Sequence, residues 1–210
     1  MTLAEHDVAG RRGYPVQLTL TDERSLDPRW GIPLAGTIVR GILSIPHSIV
    51  NTVLSWCMAA WLIVGWIYIL AYGRVPALAV KLIVELIHRG NKVAGYVLLM
   101  PGGYPPLEPG LPGPTNLTVE LDDLTINRWW GFPLFGWFTR VFAVLPQLIL
   151  LSFMIVGVIL TYLVLWIPIL RSGRYPEWAI SFYGSVMNWA SQVAAWVLLL
   201  PVPYPPLWLN

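Results

Sequence analysis

Apolar and polar positions follow one order along this chain, and the order is run twice. The stretches VQLTLTD and NLTVELD alternate apolar with polar residues, the period of a strand with one buried face. They predict extended segments over 16–20 and 117–121. Because an unpaired edge strand is a liability, these should form a small two-stranded ribbon or pair each with a partner. An amphipathic lead-in carrying Arg40 or Arg140 comes next, then Pro46 or Pro146, suited to the first turn of a new helix. A hydrophobic helix then runs to about Ala71 or Leu170. Gly-Arg-Val-Pro or Gly-Arg-Tyr-Pro turns the chain into a second helix, which ends before Pro101 or Pro201. Tyr-Pro-Pro-Leu, at Tyr104 and again at Tyr204, closes each round. It cannot be helical, since each proline bars the helical region to the residue before it.

The two rounds are one hundred residues apart. Between Trp30–Leu107 and the residues one hundred further on, 27 of 78 positions are identical without a gap. Unrelated apolar helices would share roughly one residue in ten, so this is an internal repeat. Nearly half of the shared residues are Gly, Pro, Trp and Arg, types that set turns, helix ends and depth in a membrane rather than catalysis. The repeat divides the chain into an N-terminal tail (1–13), a first repeat (14–107), a Pro/Gly linker (108–115) and a second repeat (116–210).

Composition places this pattern in a membrane. Hydrophobic residues make up 56% of the 210 and charged ones only 11%, where a soluble domain has about 25% charged. No Asp, Glu, Lys or Arg occurs over 41–73, 141–170 or 178–210, and about 20 apolar residues suffice to cross a bilayer. The first residues lack an apolar core, so no cleaved signal peptide is expected. The single cysteine, Cys57, rules out disulfides within the chain and a cysteine-based metal site. A net charge of +2 gives no reason to expect nucleic acid as a partner. Among the twelve tryptophans, Trp30 and Trp130, with Tyr104 and Tyr204, are the expected interfacial anchors.

Ile45-Pro46-His47 before a long apolar helix, Gly173-Arg174-Tyr175-Pro176 after one, and a terminal Tyr-Pro-Pro-Leu resemble a bacterial membrane family, domain of unknown function 4389. The resemblance covers nearly the whole chain, as two tandem copies. Gln147 stands where the first copy has His47, and Val75 where the second has Tyr175. The resemblance implies a bacterial inner (cytoplasmic) membrane and brings no catalytic residue with it.

The second helices decide the topology. In the first repeat Lys81, Glu85, His88, Arg89 and Lys92 fall within an arc of about 100°. The matching positions are Ser181, Ser185, Asn188, Trp189 and Gln192, so the stripe stays mostly polar while its charge disappears. Basic residues facing lipid cost about 2.5–3.5 kcal/mol each, which favours a helix lying at the interface. Tandem repeats sharing one orientation and a short turn between helices favour a hairpin that crosses twice. The expected fold class is an all-α integral membrane protein of two tandem repeats. Each is an extended segment plus a two-helix hairpin, giving four membrane helices; the alternative is two membrane helices plus two interfacial amphipathic ones. The hairpin reading makes a multi-pass protein with both termini in the cytoplasm, on the side of Arg24, Arg29, Arg40, Arg128 and Arg140.

Reactive groups are few. No His-x-x-x-His pair, Cys-x-x-Cys, Gly-x-Ser-x-Gly or phosphate-binding glycine loop occurs. No cofactor is therefore expected, although His47 or His88 alone could ligate a haem or chlorophyll. Lys81, Glu85 and Arg89 are spaced to form a local charge ladder. With so little interior in a four-helix monomer, the charged stripe should face water, headgroups or another protein. The expected role is non-enzymatic: an accessory or structural subunit of a larger bacterial membrane complex, with the bilayer and other membrane subunits as partners. The alternatives are a small carrier or lipid-handling protein and, last, a membrane enzyme.

Overall fold

The two alternating stretches pair with each other. A computed structural model, which describes residues 14–207 apart from 22, 33–34, 109–110, 112 and 133–134, sets β1 (Val16–Leu20) antiparallel to β2 (Thr115–Val119). The tail, with His6, and part of the linker lie outside the described residues. Val16 faces Val119, Leu18 faces Leu117 and Leu20 faces Thr115. The alternation does what its period implies: Val16, Thr115 and Leu117 are buried, whereas Gln17, Thr19, Asn116 and Thr118 are exposed.

A one-turn 3-10 helix (Pro28–Gly31) leads into α1 (Ala35–Leu43), α2 (Ile45–Tyr72) and α3 (Ala77–Val97). After β2, a second such turn (Arg128–Gly131) leads into α4 (Phe135–Ala143), α5 (Leu145–Ser172) and α6 (Glu177–Val197). Pro46 and Pro146 each stand in the first turn of a long helix, where a missing N–H costs nothing. Both long helices stop at a left-handed glycine, Gly73 (φ 64°) and Gly173 (φ 62°). Their N–H groups donate back to Ile69 O at 2.7 Å and Ile169 O at 2.9 Å. Leu99 and Leu199 end α3 and α6 at φ 63° and 68°, where a non-glycine residue costs about 1–2 kcal/mol. Both side chains are nearly fully buried, and burying a leucine returns about 1.5–3 kcal/mol, so leucine holds the position.

Helices α3 and α6 form an antiparallel central pair. The Tyr175 hydroxyl, before α6, donates to Leu98 O at the end of α3 (2.9 Å). Asn91 Nδ2 donates to Ser191 Oγ at mid-length (2.7 Å), and Leu199 packs with Val75 and Ala79 at the other end. Each long helix lies along its own partner, α2 on α3 and α5 on α6. The extended segments do the opposite: β1 packs on α6 and β2 on α3. Leu26 N donates to Gly173 O (3.0 Å) and Tyr175 N to Arg24 O (3.0 Å), while Val75 N donates to Leu124 O (2.9 Å) and Ile126 N to Gly73 O (3.0 Å). The entry segment of each half is thus bonded to the helical turn of the other.

Two of the four long helices, Ile45–Tyr72 and Leu145–Ser172, have the length and apolar composition to cross a membrane. The other two do not, so four membrane helices find no support. Lys81, Glu85, Arg89 and Lys92 lower the hydropathy of α3, and Glu177, Ser181, Ser185, Asn188, Ser191 and Gln192 do the same for α6. Around α2 and α5, Trp56, Ile63, Phe153 and Leu163 are among many large apolar side chains left exposed.

Candidate functional site: the polar track on the central helices

The stripe that stood out in the sequence lies under the chain's own backbone. Arg89 and Lys92 are buried, with His88 beside them. Arg89 pairs with Glu85 and donates from Nη2 to Leu107 O (2.7 Å), while Lys92 Nζ donates to Leu111 O. Carbonyls in a Pro/Gly segment lack the donors that a helix or sheet would bring, and these two cations supply them. Burial lowers the Lys92 pKa, and Glu85 opposes the shift. His88 is likewise lowered, first by burial and then by Lys92, and its own backbone-directed bond reaches Leu117 of β2.

The second half reads the same track with neutral groups. Asn188 Oδ1 accepts from Leu18 N (2.8 Å), Gln192 Nε2 donates to Val16 O (3.2 Å) and Trp189 Nε1 donates to Pro206 O (2.8 Å). His88 and Asn188 therefore each hold a strand, and Arg89 and Trp189 each hold a Tyr-Pro-Pro-Leu segment. This corrects the expectation that the stripe cannot be buried within the chain. The Tyr-Pro-Pro-Leu segment covers Arg89 and the linker covers Lys92, and only Lys81 at the far end stays exposed.

The Tyr-Pro-Pro-Leu segments turn out to be clips. The Tyr104 hydroxyl donates to Leu43 O at the end of α1 (3.1 Å), and that of Tyr204 donates to Ala143 O at the end of α4 (2.6 Å). His47 is buried with its ring tilted against Tyr104 at 5.1 Å and bonds the Pro105 backbone. Gln147, also buried, accepts from the Tyr204 hydroxyl (2.8 Å) and donates to Pro205 O (3.4 Å). Positions 47 and 147 thus share a structural use, tying the clip to the start of the long helix. Among the described residues, Nε2 of His47 and Nε2 of His88 have no hydrogen-bond partner, and the two histidines sit on different helices against different segments. Among the described residues, no three His, Cys, Asp or Glu side chains gather where a metal could sit.

Sequence reasoning missed two charges buried as deeply as Lys92. Arg40 and Arg140 are 3% and 2% exposed. Arg40 lies 4.7 Å from the ring centres of both Trp30 and Tyr96, and Arg140 lies 4.7 Å from those of Trp130 and Trp196. Arg40 donates to Tyr96 O (3.0 Å) and Met100 O (3.2 Å), and Arg140 to Trp196 O. Each guanidinium thereby neutralises the carbonyl end of a central helix between two aromatic faces. Trp30 and Trp130 are half-buried members of these sandwiches. The signal was in the sequence: an arginine, a tryptophan ten residues before it and an aromatic residue 56 after it occur in both halves.

A first test concerns the linker. Removing the Lys92 ammonium removes a charge-assisted bond, worth about 1.5–3 kcal/mol. Lys92→Ala should raise the rate of Glu-C cleavage after Glu108 about tenfold, because each 1.4 kcal/mol of local opening is a factor of ten. An unchanged rate would show that the bond does not hold the linker.

Comparison with family models, with curated proteins and with solved structures finds no match to this chain.

Proposed function

We propose that the chain is a non-catalytic accessory subunit of a bacterial inner-membrane assembly, built from two tandem copies of one unit and held in lipid by α2 and α5. The observation that carries this reading is the use made of its buried polar side chains. Buried Arg40, Arg140, Arg89, Lys92, Gln192 and Gln147, together with half-buried Asn188, all bind the chain's own backbone or clips. The bacterial setting is the one that the resemblance to the 4389 family implies. The outer surfaces of the halves differ, as a subunit in an asymmetric assembly requires. Trp129, Phe132, Phe135 and Phe142 form an exposed aromatic edge at α4, where α1 presents Arg29, Ile32, Ala35 and Ile42.

The experiment is extraction from native membranes in mild detergent, followed by mass spectrometry and an absorption spectrum. A stoichiometric membrane partner is expected, and its recovery should fall when Phe135 and Phe142 are both changed to serine. A protein recovered alone and monodisperse would overturn the accessory reading. A visible pigment band lost with His47→Ala or His88→Ala would replace it with a cofactor-binding one.

A further inference from the structure

The fold has one polar side that no lipid can cover, and its position fixes how the apolar helices meet the membrane. The ribbon lies over the middle of the central pair: Leu18 bonds Asn188, Val16 bonds Gln192, and His88 reaches Leu117. Since α2 and α3 pack as a hairpin about the short turn at 73–76, the middle of α3 lies level with the central part of α2. The outward side of the ribbon is Gln17, Thr19, Asn116 and Thr118.

If α2 and α5 stood across a bilayer, Gln17, Thr19, Asn116 and Thr118 would lie at mid-membrane. Backbone strands open to hydrocarbon do not occur there, and each unpaired polar group would cost several kcal/mol. The antiparallel central pair adds a second constraint. Since α2 runs against α3, α3 against α6 and α6 against α5, the long helices point in opposite directions. The axis relating the halves is perpendicular to all four helices. Set along the membrane normal, that axis brings both long helices to the same depth and turns the ribbon to water.

We infer that this chain is embedded in a single leaflet, with α2 and α5 lying in the membrane plane and the β-ribbon in the aqueous phase. The inference rests on the membrane reading above and replaces crossing helices with in-plane ones. Exposed apolar positions on α5, from Leu148 and Ile155 through Leu163 to Leu150, cover an arc of about 220°. An arc that wide suits immersion in acyl chains better than a seam against one protein. Charge complements it. Exposed Arg74 and Arg128 stand at the C-terminal end of α2, and exposed Arg29, Arg171 and Arg174 at that of α5. In the in-plane setting both groups reach the headgroups of the same leaflet, where each arginine near an anionic surface gains about 1 kcal/mol. The occupant of the apolar face is therefore an anionic phospholipid leaflet.

The test is a depth measurement on the full chain. In a Cys57→Ser background, single cysteines replace Ile49, Trp56 or Ile63, all exposed and seven residues apart on one side of α2. A second series replaces Ile149, Val156 or Leu163 on α5, likewise exposed. Spin labels are read by collision with oxygen and with a water-soluble nickel chelate, in vesicles of phosphatidylcholine and phosphatidylglycerol. In-plane helices should give three equal depths within each series, and a label at Gln17 should be open to the chelate. Crossing helices would instead spread each series over about 20 Å of depth, at 1.5 Å per residue. That spread would overturn the in-plane setting and leave the membrane reading standing. Chelate access at all six helix positions would overturn the membrane reading itself. The α5 series decides the matter should an α2 variant fail to insert.

Discussion

Gly136→Ala is expected to prevent folding, and Gly36→Ala to do the same from the other half. A methyl group on Gly136 would lie 2.3 Å from Trp130 O and 2.6 Å from Trp130 C; on Gly36 it would lie 2.1 Å from Trp30 O. These are backbone atoms, so no side chain can swing aside. The loop cannot retreat either. Gly136 N donates to Phe132 O (3.0 Å), Gly36 N donates to Ile32 O (3.3 Å), and each tryptophan ring is held under a buried arginine. Overpacking that side chains can absorb costs about 1–3 kcal/mol, and this one must move backbone as well, against a total stability of about 5–15 kcal/mol. Expression in membranes, followed by size-exclusion chromatography in detergent, should show aggregated or degraded protein for either variant. Gly90→Ala is the matched control. Nothing lies within 4 Å of the added carbon there, and alanine inside a helix gains about 0.5–1 kcal/mol over glycine. Well-behaved Gly136→Ala protein would mean that the tryptophan turn does not pack against α4.

That pair of glycines also shows how far the sequence could be read. Trp-Gly followed by a glycine five residues later occurs in both halves, but the motif says nothing of what approaches the glycine. The helix ends were legible because proline and glycine act locally. Ends expected near Ala71 and Leu170 fall at Tyr72 and Ser172, set by Gly73 and Gly173. The strands were legible because a period of two needs only a buried side. The cover over the polar stripe was not. A helical wheel reports that Arg89 and Lys92 share a side with His88, yet their partners are backbone carbonyls of Leu107 and Leu111, and carbonyls leave no mark in a side-chain pattern. The exchange of entry segments between halves was hidden for a related reason. Two similar halves offer β1 two similar helices, and the choice of α6 over α3 depends on Asn188 and Gln192 meeting its backbone.

Arg140→Ala should be the most damaging side-chain truncation in the chain, with Arg40→Ala close behind. Burial pushes the Arg140 pKa down to about 10, with Tyr14 opposing the shift, so the group remains charged at neutral pH inside the protein. Such a charge is tolerated only while its partners stay in place. Two indole faces and the Trp196 carbonyl surround it, and the Tyr14 hydroxyl, bonded to Pro203 O at 2.8 Å, closes the same corner. Truncation leaves a cavity between two tryptophans and a helix end whose carbonyl has lost its donor. An orphaned carbonyl costs about 1–3 kcal/mol and a desolvated cation–π pair about 2 kcal/mol, so a loss of about 3–5 kcal/mol is expected. At about 2–4 °C per kcal/mol for a chain of this size, the melting temperature should fall by roughly 6–20 °C. Arg140→Met separates the causes, because it refills the volume and removes the charge. Apolar replacements of buried ionic groups are often neutral, so a methionine variant as stable as the parent would show that the arginine acts as filling. The expected result is that methionine recovers less than half of the loss, because only a planar cation reaches the Trp196 carbonyl while lying against both rings.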